Sequence, residues 1–160
     1  MGKRSVRKDK NIYQISREEA GLTREKASEA IGFISDDRIE KVESGKYAPH
    51  PDEVLAMARC YAHPGLRNYF CSHECPIGKK YVPEVQSRAL SEIALEILSH
   101  MNRLEGEKNR LIEIARDGRI RPEEKEDFKV ILEQLRVVSA TIASLELWVE
   151  EQEAGENDAP

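Results

Sequence analysis

Residues 18–32, EEAGLTREKASEAIG, and residues 39–61, IEKVESGKYAPHPDEVLAMARCY, decide how this chain folds. In the first stretch Gly21 stops one short helix, marked by Ile12, Ile15 and Ala20, because glycine enters the left-handed region cheaply. Thr23 then caps a second helix that carries Ala27, Ala30 and Ile31 inward and ends at Gly32. After a turn at Phe33-Ile34, Ser35 caps a third helix in which Ile39 and Val42 recur three residues apart. Asp36 and Asp37 suit its positive N-terminal end. Gly45 closes that helix. Pro49 and Pro51 force a break, and Val54, Leu55, Met57, Ala58 and Tyr61 describe a fourth helix with Pro51 in its first turn. A fifth short helix is predicted after Pro64, through Leu66, Tyr69 and Phe70.

Two helices joined by a short glycine-containing turn, within five, are the pattern of a helix-turn-helix module. Gly21, Leu22, Thr23, Ser28, Ile31, Gly32, Ile39, Val42, Glu43, Gly45 and Pro49 make the resemblance specific. They resemble the Cro/cI-type, or XRE-type, helix-turn-helix family of transcriptional regulators over residues 11–72, under half of the chain. The resemblance implies a lambda-repressor-like domain in which the second helix crosses the DNA backbone and the third enters the major groove. On that docking Arg24, Ser35, Asp37, Arg38, Lys41, Lys46 and Tyr47 are the candidate DNA contacts. Arg24 stands where the family usually carries Gln. Asp37 can accept from cytosine N4 in the groove, or join Asp36 in stabilising the helix start.

The charge is divided along the chain. Residues 1–83 hold 15 Lys and Arg against 12 Asp and Glu, a net of +3; residues 84–160 hold 10 against 18, a net of -8. One half is thus suited to approach phosphates and the other to stay in solution. Residues 1–10 form a basic arm, either a solvated terminus or a phosphate-contacting or minor-groove arm. No apolar run approaches the roughly 18 residues of a membrane span, and the basic start lacks the apolar stretch of a signal peptide, so a cytoplasmic protein is expected. Three cysteines fit a reducing compartment better than a disulfide framework.

Cys60, His63, Cys71, His73 and Cys75 lie within sixteen residues. Helical spacing of Cys71 and Cys75, completed by Cys60 or His63, could hold zinc. The C-x3-C spacing and the ambiguous fourth ligand favour instead small core cysteines, so neither metal nor cofactor is expected.

Pro76, Gly78 and Pro83 mark a linker over residues 76–83. Beyond it Leu90, Ala94, Ile97, Met101, Leu104, Leu111 and Ala115 recur in a heptad-like series interrupted by Lys108. Asp117-Gly118 ends that helix and Pro122 opens the next, with Phe128, Ile131, Leu135, Val138, Ile142, Leu145 and Val149 spaced by three and four. Each helix is roughly 45 Å long at 1.5 Å per residue, and a short loop makes them an antiparallel hairpin over residues 84–150. Ile93, Leu98, Ile112, Leu132, Val137 and Trp148 widen the apolar stripe beyond what one helix covers, so the hairpin is expected to form a homodimer through residues 84–150 or to dock on another protein, the alternative being that the excess packs on the chain's own N-terminal domain. Residues 151–160 read as an acidic, disordered tail.

The sequence therefore predicts an all-α chain: a five-helix lambda-repressor-like helix-turn-helix domain over residues 11–75, then a long antiparallel helical hairpin. Its expected partners are double-stranded DNA and a second copy, with no membrane. No constellation for nucleophilic, acid-base or phosphate chemistry is present, so no enzyme is expected. The rival is a protein-interaction module that keeps the helix-turn-helix scaffold without binding DNA.

Overall fold

A computed structural model describes residues 10–157, with side chains through residue 155. The basic arm of residues 1–9 and residues 158–160 of the acidic tail lie outside the described residues. Every regular element among the described residues is helical, and there is no strand. The elements are α1 (Ile12–Glu19), α2 (Arg24–Ile31), α3 (Asp36–Glu43), α4 (Pro51–Cys60), α5 (Gly65–Tyr69), α6 (Gly78–Tyr81), α7 (Leu90–Ala115) and α8 (Lys125–Asn157). A π-helical turn, Phe70–Glu74, follows α5, and a 3-10 turn, Pro122–Glu124, precedes α8. The chain divides into two compact units, residues 1–84 with 149–160, and residues 85–148.

In the first unit every early helix starts on a capping side chain. Asn11 accepts from the Gln14 N–H, Thr23 from Lys26 and Ser35 from Arg38, each satisfying a donor the helix cannot. Asn11 also donates from Nδ2 to the Val42 carbonyl at 2.8 Å, so the cap of α1 is tied to the end of α3. α4 begins with Pro51 and a reciprocal capping box in which the His50 N–H donates to Glu53 at 2.7 Å. The core joins Tyr13, Ala27, Ile39, Val42, Met57 and Leu66, with Ile34 and Val54 also buried. Each large side chain there contributes roughly 1.5–3 kcal/mol by leaving water.

Several helix faces differ from the apolar spacing. On α1 the buried residues are Tyr13, Gln14, Ser16 and Arg17, while Ile15 and Ala20 are exposed. Ala30 of α2 and Leu55 of α4 also face solvent. Polar side chains take the inner face of α1 because each has a partner: the Tyr13 hydroxyl donates to Glu74 at 2.9 Å, and Ser16 Oγ lies 2.7 Å from His63 Nδ1. The segment expected as a linker contains α6, packed on the π-helical turn, with Gly78 buried. α8 likewise runs on to Asn157, beyond the residue 151 at which the acidic tail was expected to begin.

In the second unit α7 and α8 form an antiparallel pair. Arg110 bonds Asp127 at 2.7 Å across the turn, while Arg88, just before α7, reaches Ser144, far along α8. The inward line on α7 is Ile93, Ile97, His100, Leu104, Glu107, Leu111 and Ile114, buried or half-buried at spacings of four and three. On α8 it runs through Ile131, Gln134, Val138 and Thr141 to Leu145 and Trp148, with Ser144 and Leu147 buried beside the last two. The series expected inward is thus partly outward: Leu90, Ala94, Met101, Leu135 and Ile142 are exposed. Polar His100, Gln134 and Thr141 stand in the inward line, so apolarity alone does not mark it.

His100 is the costly member, with Nδ1 buried and no hydrogen-bond partner. His100→Leu is expected to raise the stability of residues 85–148 by about 1 kcal/mol, since the unpartnered Nδ1 is removed and only the long 3.7 Å contact of Nε2 with Glu96 is lost with it. Thermal unfolding followed by circular dichroism tests this; a lowered melting temperature would show that the imidazole supports the pair.

Candidate nucleic-acid interface

Four residues, Gly32 to Ser35, separate α2 from α3. Gly32 adopts φ 84°, a left-handed conformation that lets the chain leave α2 at once. Ile34 is then buried inside the turn while Phe33 stays exposed. The two helices are held by Ala27, Ile39 and Val42 in the core and by a buried ion cluster beneath them.

That cluster centres on Glu43, whose side chain is 1% exposed. Arg17 of α1 donates to it from Nε at 2.5 Å and from Nη2 at 3.0 Å, and its Nη1 donates to the Leu22 carbonyl at 2.7 Å. Arg24 of α2 adds a third bond, Nε to Oε2 at 2.8 Å. One carboxylate thereby joins α1, α2 and α3. The Tyr61 hydroxyl is buried nearby, and burial, reinforced by the Glu43 charge, pushes its pKa well above the ordinary tyrosine value.

The candidate contact residues fall into two groups. Arg24 and Arg38 are committed to internal partners. Arg38 forks onto Glu53 with two bonds of 2.7 Å and donates to the Ala48 carbonyl at 3.0 Å, so it pins α3 to α4 and the loop between them. Burial alone would raise the Glu53 carboxyl; Arg38 and the His50 N–H reverse that and hold it below the usual carboxylate range. Ser35, Asp37, Lys41, Lys46 and Tyr47 form the second group, at the surface or close to it. Ser35 caps α3, and Asp37 and Lys41 pair along its outer side at 2.5 Å. Lys46 and Tyr47 project from the turn after α3, where their N–H groups donate back to the Lys41 carbonyl.

The outer face of α3 carries Asp36, Asp37 and Glu40 against Lys41. A duplex approached by this face meets net negative charge at the helix start and positive charge at Lys41 and Lys46 near its end. Both caps were legible in the sequence; the ion cluster was not, because Arg17 stands in the polar run Ser16–Glu19 and Glu43 beside Ser44, with no pattern marking either as buried.

The cysteine and histidine run is dispersed by the fold. His63 is occupied by Ser16, and the Gly78 N–H donates to Cys75 Sγ at 3.4 Å. Cys60, at the end of α4, is half-buried, which raises its thiol pKa. All three cysteines are free thiols, and among the described residues no three His, Cys, Asp or Glu side chains are grouped to hold a metal ion.

Residues 14–68, about a third of the chain, match the family model of a helix-turn-helix domain. No curated protein and no solved structure matches the chain. The matched segment begins within α1 and ends within α5, so it takes in the ion cluster and the α2–turn–α3 unit together.

Proposed function

We propose, from an N-terminal segment that is a helix-turn-helix domain, that this chain is a dimeric, sequence-specific DNA-binding transcriptional regulator. In this reading α3 enters the major groove from its Ser35 end, α2 crosses the backbone, and Lys41, Lys46 and Tyr47 meet the flanking phosphates and sugars. Arg24 and Arg38 act mainly by fixing the angle between the helices, with Arg24 a third exposed and able to reach a phosphate beside Glu43. The observation that carries the reading is the α2–turn–α3 unit with its capped third helix open at Ser35, Asp36 and Asp37. No helix among the described residues is long and apolar enough to cross a membrane.

Duplex DNA titrated at several salt concentrations tests it. Affinity should fall steeply with salt, because each phosphate neutralised releases counterions. Lys46→Ala should weaken binding at every sequence and reduce the log–log salt slope by about 1. Binding that ignores salt, or no binding to a random duplex library at low salt, would reject a DNA reader.

A second reading is favoured by one specific feature. Asp36, Asp37 and Glu40 crowd the end of α3 that would face bases, while both candidate arginines, Arg24 and Arg38, are held internally. Such a face suits a basic protein surface, with the helix-turn-helix scaffold retained for its fold. The same titration separates the readings, since this one expects no duplex affinity even at low salt.

A further inference from the structure

The hairpin of residues 85–148 leaves one face uncovered. On α7 the exposed line is Leu98, Met101, Glu105, Lys108, Ile112 and Ala115, each one residue after a member of the inward line. Leu98, Met101 and Ile112 are 58%, 57% and 54% exposed. On α8 Leu132, Leu135 and Ile142 follow the inward line by the same single residue and are also exposed. Two right-handed helices running in opposite directions, each displaced by the same step, present these lines on the same side of the pair. The opposite side of α7 carries Glu92, Glu96, Arg103 and Arg110.

We infer that a second copy of this chain covers this face as an antiparallel four-helix bundle whose two-fold axis passes between Glu105 and Lys108. The inference rests on the dimeric part of the function proposed above and adds its register. The α7 line has spacings of three, four, three, four, three, which read the same in either direction. Laid antiparallel on its copy, it sets Met101 on Ile112, Leu98 on Ala115, and Glu105 on Lys108, each pair occurring twice by symmetry. The charged pair is exposed and bonded only to itself at 3.2 Å within one helix, so it can exchange partners across the interface at little cost.

Other arrangements of two copies fail on the same residues. A parallel α7 pair would set Glu105 on Glu105 and Lys108 on Lys108. With α7 laid on the partner's α8, Glu105 and Lys108 would press on the apolar line around Leu132, since the Arg110–Asp127 bond sets that leucine nearly level with Glu105. Both leave charge buried without an opposite partner, which is the costly outcome. In the inferred register Leu132 comes close to its own copy and extends the apolar layer on both sides of the charged centre.

Sedimentation of the full chain at micromolar concentration, without DNA, tests this. Wild type is expected as a dimer. Glu105→Lys gives a chain with two lysines and Lys108→Glu one with two glutamates at the central positions. Each alone is expected to associate at least about tenfold more weakly. Their equimolar mixture should form a one-to-one heterodimer, visible by native mass spectrometry, because every cross-interface pair is then opposite in sign although each chain keeps its internal repulsion. The doubly reversed chain, Glu105→Lys with Lys108→Glu, should self-associate as wild type does, which shows that the substitutions are tolerated by the fold. A monomeric wild type overturns the dimer altogether. A dimeric wild type whose single variants associate undiminished, or whose mixture gains nothing, overturns this register while leaving dimeric DNA binding to its own titration.

Discussion

Glu43→Ala is expected to destabilise the N-terminal unit by about 3–5 kcal/mol, the cost of stranding a buried charge. Arg17, whose side chain is 7% exposed in the folded protein, would lose both bonds to the carboxylate, retaining only its Nη1 bond to the Leu22 carbonyl. Arg24 can swing to water when released, so the penalty falls chiefly on Arg17. For a unit of this size such a loss lowers the melting temperature by roughly 15 °C or more. Far-UV circular dichroism against temperature measures it, and a drop worth less than about 1 kcal/mol would show that water reaches Arg17 and the cluster is not dry. Adding Arg17→Met to Glu43→Leu should recover part of the loss, because a pair of apolar side chains is better tolerated than one orphaned ion. The double variant would also leave the Leu22 carbonyl short of a donor, so recovery stays incomplete.

The importance of Glu43 explains where sequence reading succeeded and where it stopped. Caps and stops are local: Thr23, Ser35, Gly32 and Gly45 act within a turn of where they stand, and the helices begin and end around them. Element existence therefore followed from residue type and spacing, and so did the helix-turn-helix segment. Which face of each helix is buried depends on partners far along the chain. Ile15 lies exposed while Arg17 is buried because Glu43, twenty-six residues later, supplies the compensating charge. No periodicity in α1 encodes that, and an apolar count inverts the face.

The hairpin shows the same limit in another form. Two apolar lines run side by side on α7, one residue apart, and only the inward one faces α8. With His100 and Glu107 in the inward line and Leu98 and Met101 in the outward one, the heptad reading mixed the two, taking Leu90, Ala94 and Met101 from one and Ile97, Leu104 and Leu111 from the other. The surplus of apolar residues was nonetheless visible, and it is the surface the inferred dimer would cover. For the candidate interface, residue type identified the cations but not their occupancy. Arg24 and Arg38 read as free contacts until the positions of Glu43 and Glu53 are known.

Gly78→Ala is the companion case, in which a glycine that reads as a linker residue proves to be a packing requirement. An added Cβ would fall on the Cys71 carbonyl group, with the carbonyl carbon at 2.7 Å and Cys71 Cα at 2.9 Å. These are backbone atoms of the π-helical turn, so no rotamer change relieves the overlap; α6 must move away from it. That movement would cost the bond from the Gly78 N–H to Cys75 Sγ and disturb the turn holding Glu74, which receives the Tyr13 hydroxyl from α1. Overpacking against backbone is expected to cost about 3 kcal/mol, lowering the melting temperature of the N-terminal unit by roughly 10–20 °C. Gly106→Ala supplies the contrast. A Cβ there meets nothing within 4 Å, and the position is interior to α7, so the substitution should stabilise the hairpin by roughly 0.5–1 kcal/mol through the helix preference of alanine. The same chemical change thus takes opposite signs at two helical glycines, and equal melting temperatures for the two variants would show that α6 yields without resistance and that its close seating on Cys71 is not a constraint on the fold.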